Sequence, residues 1–198
     1  MVLVEKWGRL ASMWKWLVGA SREEVLGLPL VGQIPREGLD VLDLRPEART
    51  LIGLNLGFST HTRNTPGPMA LAHQDDGSVQ WWNAAKREAL ARAVSGMRSW
   101  EVVEGDYSAA PDIEATWFVD PPYERKADMY AARVGDYRRL GDWCRGRRGQ
   151  VVVCEDAGAS WLPFVPLDMS RRSNLRSGVT ARVMGARNQH REGVWIRD

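Results

Sequence analysis

The stretch WFVDPPYE, residues 117–124, combines residue types with a definite chemistry. Asp120 closes a run of apolar residues, and Pro121 pushes it away from helical geometry. Pro121 and Pro122 each hold φ at about −65°. The carbonyls of Asp120 and Pro121 are thereby held in place, with no N–H on either proline to compete for them. A carboxylate beside a fixed carbonyl is an acceptor pair for an exocyclic amino group, and Tyr123 adds a flat face for stacking. The set matches an amino-bearing heterocycle, gripped at its edge and covered on its face.

The elements around the set must position it. MVLVE (1–5), WEVVEGD (100–106), ATWFVD (115–120), QVVVCED (150–156) and EGVWIRD (192–198) read as strands, from their apolar and β-branched runs. Helical spacing predicts a helix over GRLASMWKWLVGA (8–20), with Leu10, Met13, Trp14 and Leu17 on one face. SREEVLGLP places Glu24 three residues after Ser21, the spacing of a capping box, and Pro29 ends it. PEARTLIGLNLGF predicts a helix with Pro46 in its first turn. A longer helix is expected after a Ser78 cap, with Val79, Trp82, Ala89, Ala93 and Met97 in its stripe, and another over about 128–145. Residues 31–45 read as irregular, and 57–77 as a polar stretch punctuated by Gly and Pro.

Strands alternating with helices predict an α/β fold with an open, mostly parallel sheet. Ligands of such sheets sit at the carboxyl ends of the strands. Three strands here end in an acid: Glu5, Asp106 (after Gly105) and Asp120.

Composition narrows the class. Charged residues are 26% and the hydrophobic class 44%, ordinary values for a globular protein. A net charge of +2 permits a polyanionic partner without requiring one. Cys144 and Cys154 match neither a disulfide framework nor a zinc site, and fit a reducing, intracellular compartment. His61, His73 and His190 have no metal-ligand spacing, so no metal is expected; His61 alone is a weak candidate for a DNA contact. No apolar run is long enough for a membrane span. Ten tryptophans are unusual, and core packing is the reading for nearly all of them, the Trp81-Trp82 pair included.

The DPPY motif after a hydrophobic strand resembles the catalytic motif, [DNS]PP[YFW], of the adenine-specific DNA methyltransferases. VVEGDYSAAPDIEATWFVDPPY (102–123) resembles that family's consecutive third and fourth motifs, and MVLVEKW (1–7) its second. GQVVVCEDAGASWLPF resembles the strand and turn that follow, and REGVWIRD a late strand near the target-base pocket. The order suits a phage- or prophage-associated branch.

The resemblance implies a Rossmann-like sheet that uses S-adenosylmethionine as methyl donor and needs no metal. It implies double-stranded DNA as partner, with the target adenine flipped out of the stack. Asp120, Pro121, Pro122 and Tyr123 would grip and cover the base. Glu5 would accept the ribose hydroxyls of the cofactor, Asp106 would meet its adenine ring, and Tyr107 would pack beside it. The implied compartment is the cytoplasm of a bacterium or of a phage-infected host. Relatives acting on RNA or on a protein amide more often carry Asn at the position of Asp120. A catalytically inactive nucleic-acid-binding remnant is a further alternative.

Two departures from the family pattern shape the expectation. The aromatic-x-Gly-x-Gly motif that cradles the methionine end of the cofactor should precede MVLVEKW, so the expected fold is an N-terminally truncated sheet. One domain over 1–198 is expected, with a mainly helical insertion at about 20–99 and the catalytic sheet segment at about 100–198. Asp106 and Asp120 are too close to hold a recognition region between them. Sequence reading would then fall to the insertion, where STHTRNTPG is either a recognition segment or an ordinary surface loop. Residues 169–191 contain six arginines and no acid, and Arg171, Arg172 and Arg176 are the candidates for phosphate contacts. The residues leave the oligomeric state open.

Overall fold

The computed structural model describes residues 1–57, 62–75, 77, 81–167 and 192–198. They form a mixed α/β fold that divides into two compact units, Met1–Ala110 and Pro111–Asp198.

The first unit opens with β1 (Val2–Glu5), which pairs in parallel with β2 (Glu101–Glu104). Helices fill the sequence between them. In α1 (Gly8–Gly19) the buried residues are Ala11, Met13, Trp16 and Leu17, with Leu10 and Trp14 packed half-buried beside them. The capping box forms at α2 (Arg22–Leu26): the Ser21 hydroxyl accepts the Glu24 N–H at 3.1 Å, and the Glu24 carboxylate accepts the Ser21 N–H at 2.7 Å. Together these bonds satisfy two N–H groups that have no partner inside the helix. Pro46 starts α3 (Pro46–Leu54), where its missing N–H removes no helical bond.

The polar stretch contains a short helix that turn signals alone do not announce, α4 (Pro68–Ala72). The helix expected after Ser78 begins later. Residues 78–80 lie outside the described set, and α5 (Ala84–Ala93) is capped by Asn83, whose side chain accepts the Lys86 N–H at 3.0 Å. Trp82 therefore precedes the helix rather than joining its stripe. Its indole N–H donates to the Pro29 carbonyl at 2.7 Å, and the side chain is fully buried. Apolar residues from α1, α2, α3 and α5 form one continuous core around Trp82, Ile52 and Leu17.

The second unit is a four-stranded sheet with one main helix. Its strands are β3 (Trp117–Val119), β4 (Val151–Asp156), β5 (Val165–Pro166) and β6 (Glu192–Arg197), in the order β3-β4-β6-β5. β3 and β4 are parallel, while β6 runs antiparallel to both β4 and β5. The expectation of a mostly parallel sheet is corrected here. Across the two sheets, parallel and antiparallel pairings are equal in number, because β6 enters between β4 and β5 from the opposite direction.

The helix expected over about 128–145 is shorter. It is α6 (Tyr137–Gly146), capped by Asp136, whose carboxylate accepts the Arg139 N–H at 3.0 Å. Residues Glu124–Met129 form a 3-10 helix instead. Strand alternation turns Val151, Val153 and Glu155 inward, where they are fully buried.

Candidate functional site

β3 delivers the DPPY turn, and its start is clamped. The Trp117 indole N–H donates to the Arg148 carbonyl at 2.9 Å. The Arg147 guanidinium lies over both the Trp117 and Trp143 rings, 5.7 and 4.6 Å from their centroids. Register then pairs Val119 with Val153, and the chain leaves the ladder at Asp120.

At that exit the acceptors outnumber the donors. No described residue donates a hydrogen bond to the Asp120 carboxylate, and none donates to the backbone carbonyls of Asp120 or Pro121. The carbonyl of Pro122, by contrast, accepts the Tyr137 hydroxyl. Asp120 is exposed, yet the protein around it removes part of its water, and the Glu192 charge adds to the effect. Its carboxyl therefore titrates above the usual carboxylate range.

Tyr123 is anchored at both ends. Its hydroxyl donates to the Glu192 carboxylate, and the Lys126 ammonium lies over its ring, 5.9 Å from the centroid. One ring face thus carries a cation. Burial first, and then the hydrogen bond and charge of Glu192, push the Tyr123 phenol well above its ordinary range, so it stays protonated.

Glu155 holds the turn from beneath. It is fully buried, and its carboxylate accepts three hydrogen bonds. The Glu124 N–H reaches it at 3.1 Å, the Asp156 N–H at 2.8 Å and the Trp161 indole N–H at 3.1 Å. Burial raises the Glu155 pKa while these bonds oppose the rise. The Glu124 bond matters most for the site, because it fixes the backbone immediately after Tyr123.

Tyr137, which holds the Pro122 carbonyl, has its phenol pushed up to about 12 by burial and by neighbouring acids. It also lines a polar cavity of about 520 Å³ with Glu124, Asp136, Arg138, Asp142, Arg145, Ser160 and Trp161. Cys154 is half-buried, and its thiol is raised by desolvation and by the charges of Asp120 and Glu192.

The other candidate acids belong to the first unit. Glu5 ends β1 and Asp106 follows the end of β2, its strand neighbour, and the Gly105 N–H donates to the Glu5 carbonyl at 3.0 Å. Both side chains also have local work. The Glu5 carboxylate accepts the backbone N–H groups of Trp7 and Lys6 at the approach to α1, and burial raises its pKa. Asp106 caps the 3-10 turn Tyr107–Ala109 by accepting the Ser108 N–H at 2.9 Å and its hydroxyl at 2.5 Å. Tyr107 is half-buried in that turn. A third acid at the same strand ends, Glu104, pairs with Lys15 at 3.1 Å and packs against Gly8 of α1.

The structure thus gathers Asp120, Pro121, Pro122 and Tyr123 in one turn of the second unit, and Glu5, Asp106 and Tyr107 at one sheet edge of the first. Arg171, Arg172 and Arg176 lie outside the described residues, as do His61 and His190. His73 stacks on Trp81 at 6.3 Å. Sequence reasoning missed Glu155, Glu192, Tyr137 and Lys126. Only Glu155 carried a signal, as an acid at an inward position of an apolar strand. Among the described residues no cluster of His, Cys, Asp and Glu could hold a metal ion, and no helix is long and apolar enough to cross a membrane. No protein-family model matches the chain, and no curated protein does.

Proposed function

We propose that this protein transfers a methyl group from S-adenosylmethionine to the exocyclic amino group of adenine in DNA. The observation that carries the reading is the acceptor set at the end of β3. The Asp120 carboxylate and the carbonyls of Asp120 and Pro121 accept no hydrogen bond from a described residue, and Tyr123 stands next to them. Acceptors that face solvent and have no donor among the described residues are open to a ligand. An amino group on a flat ring supplies the missing donors, and the ring supplies a surface for Tyr123. Accepting an N–H at Asp120 and at a proline carbonyl orients the amino nitrogen and increases its electron density, which is positioning and electrostatic catalysis.

The cofactor reading draws on the strand ends of the first unit. An ionised carboxylate has about four acceptor sites, and the two backbone bonds at Glu5 leave capacity for ribose hydroxyls. Asp106 stands at the adjoining strand end and supplies the second acid for the adenosine portion. The acceptor chemistry of these residues fits the hydroxyl and amino groups of the adenosine portion. When bound, S-adenosylmethionine supplies a methyl group already activated on a sulfonium.

Asp120→Ala tests the proposal directly. The expected result is a loss of transfer to duplex DNA of about 10²-fold or more, assayed with labelled cofactor, with the circular dichroism unchanged. Near-normal transfer by the variant removes the reading.

A further inference from the structure

Glu192 is delivered to the DPPY turn by rigid backbone. It is the first residue of β6, opposite Asp156 of β4, and its carbonyl accepts the Leu167 N–H at 2.7 Å just beyond β5. Gly193, next to it, is buried, and a Cβ there would stand 2.8 Å from the Ala157 Cα. Only glycine lets β6 run this close to the turn after β4. The Glu192 side chain then meets Tyr123, a residue 69 positions away, and accepts its hydroxyl proton. Strand alternation puts Glu192, Val194 and Cys154 on one face, and Asp120 reaches that same face one step past Val119. The charges of Asp120 and Glu192 both act on Tyr123, Tyr130 and Cys154, and that of Glu192 acts on Asp120.

The Tyr123 hydroxyl has two carboxylates in its surroundings, and it donates to Glu192. Were it to donate to Asp120 instead, it would occupy the very acceptor that a substrate amino group needs. We propose that Glu192 is the positioning residue of this site, holding the Tyr123 hydroxyl so that the ring keeps one orientation and the Asp120 carboxylate stays open to its ligand. The inference rests on the methyl-transfer reading for its substrate, and on the hydrogen-bond geometry alone for the role of Glu192.

Four variants test it: Glu192→Ala, Glu192→Gln, Tyr123→Phe and the double variant Glu192→Ala/Tyr123→Phe. In Glu192→Ala the hydroxyl is released to Asp120, and transfer to duplex DNA falls about tenfold or more. Glu192→Gln keeps an acceptor for the hydroxyl and stays close to the wild-type rate. Tyr123→Phe removes the competing donor, so adding it to Glu192→Ala restores transfer to the level of Tyr123→Phe alone. A purely structural role for Glu192 predicts no such rescue. A double variant as poor as Glu192→Ala, or Glu192→Ala at the wild-type rate, overturns the proposal.

A second measurement is independent of activity. The Asp120 carboxyl, followed by carbon NMR on the full chain, titrates at lower pH in Glu192→Ala than in the double variant, because only the former has a hydroxyl to stabilise the Asp120 charge. Equal titration in the two overturns the role of Glu192. Absence of transfer by the wild type, with that difference present, overturns the methyl-transfer reading and leaves the positioning role standing.

Discussion

Residues 1–110 and residues 111–198 hold their shapes by different means, and the difference bears on function. The first unit builds a continuous apolar core in which Trp82, Leu17, Ile52 and Leu56 are fully buried. Among the described residues the second buries fewer apolar side chains, chiefly Leu140, Cys144, Val151, Val153, Trp161 and Leu162, and puts a carboxylate, Glu155, among them. It also leaves Phe118 at 71%, Val165 at 63% and Ile196 at 55% exposed. Register places all three on the sheet face that carries Cys154 and Glu192. The unit with less apolar burial therefore relies on side-chain hydrogen bonds to backbone, and these converge on the DPPY turn through Glu155 and Tyr137. On the proposed reading, a site that presents open acceptors gives up stability to do so, the usual opposition of function and stability.

The largest expected effect lies on the apolar side of the comparison. Trp82→Ala removes a fully buried indole from the centre of the first core and its hydrogen bond to the Pro29 carbonyl. It should destabilise the protein by about 3–5 kcal/mol, measured by chemical denaturation. A loss below about 1 kcal/mol would mean that this core is not the principal support of the first unit.

Glu155→Ala probes the polar side. It leaves the N–H groups of Glu124, Asp156 and Trp161 without their acceptor inside the second unit. The expected loss is about 3 kcal/mol. Glu155→Gln should lose less, since its carbonyl still accepts hydrogen bonds. Equal midpoints for Glu155→Ala and the wild type in urea would show that packing, not this carboxylate, holds the turn.

The smallest effect has the opposite sign. Desolvation and the Glu192 charge raise the folded pKa of Asp120 above its ordinary 3.8. The stability that goes with the protonated carboxyl is present below that value and is lost as pH rises through the raised folded pKa. At neutral pH the ionised group is therefore unfavourable. Asp120 is exposed, so water screens most of the effect: Asp120→Asn should raise stability there by no more than about 0.5 kcal/mol and give no advantage below the ordinary value. A melting temperature lower than wild type at neutral pH would contradict the assignment of Asp120 as an open, functional acceptor.

Local sequence determined what depends on neighbours a few residues apart. The apolar runs settled where β1, β2, β3, β4 and β6 lie, and a Ser and a Glu three residues apart settled the start of α2. The two prolines after Asp120 determined that the strand would end in a rigid turn lacking two backbone N–H groups. Helix starts were less legible than strand positions. α5 and α6 start at Asn83 and Asp136, whose side chains reach a backbone N–H three residues on.

Tertiary structure decided everything that joins distant positions. The antiparallel insertion of β6 between β4 and β5, the bond from Tyr123 to Glu192 across 69 residues and that from Glu124 to Glu155 across 31 have no local pattern. A hydrogen bond between remote segments is specified by where the sheet places two backbones, and a carboxylate reads the same in sequence whether it meets water or a buried N–H. The chain's own order therefore announced the DPPY turn, while folding alone chose the residues that hold that turn in place.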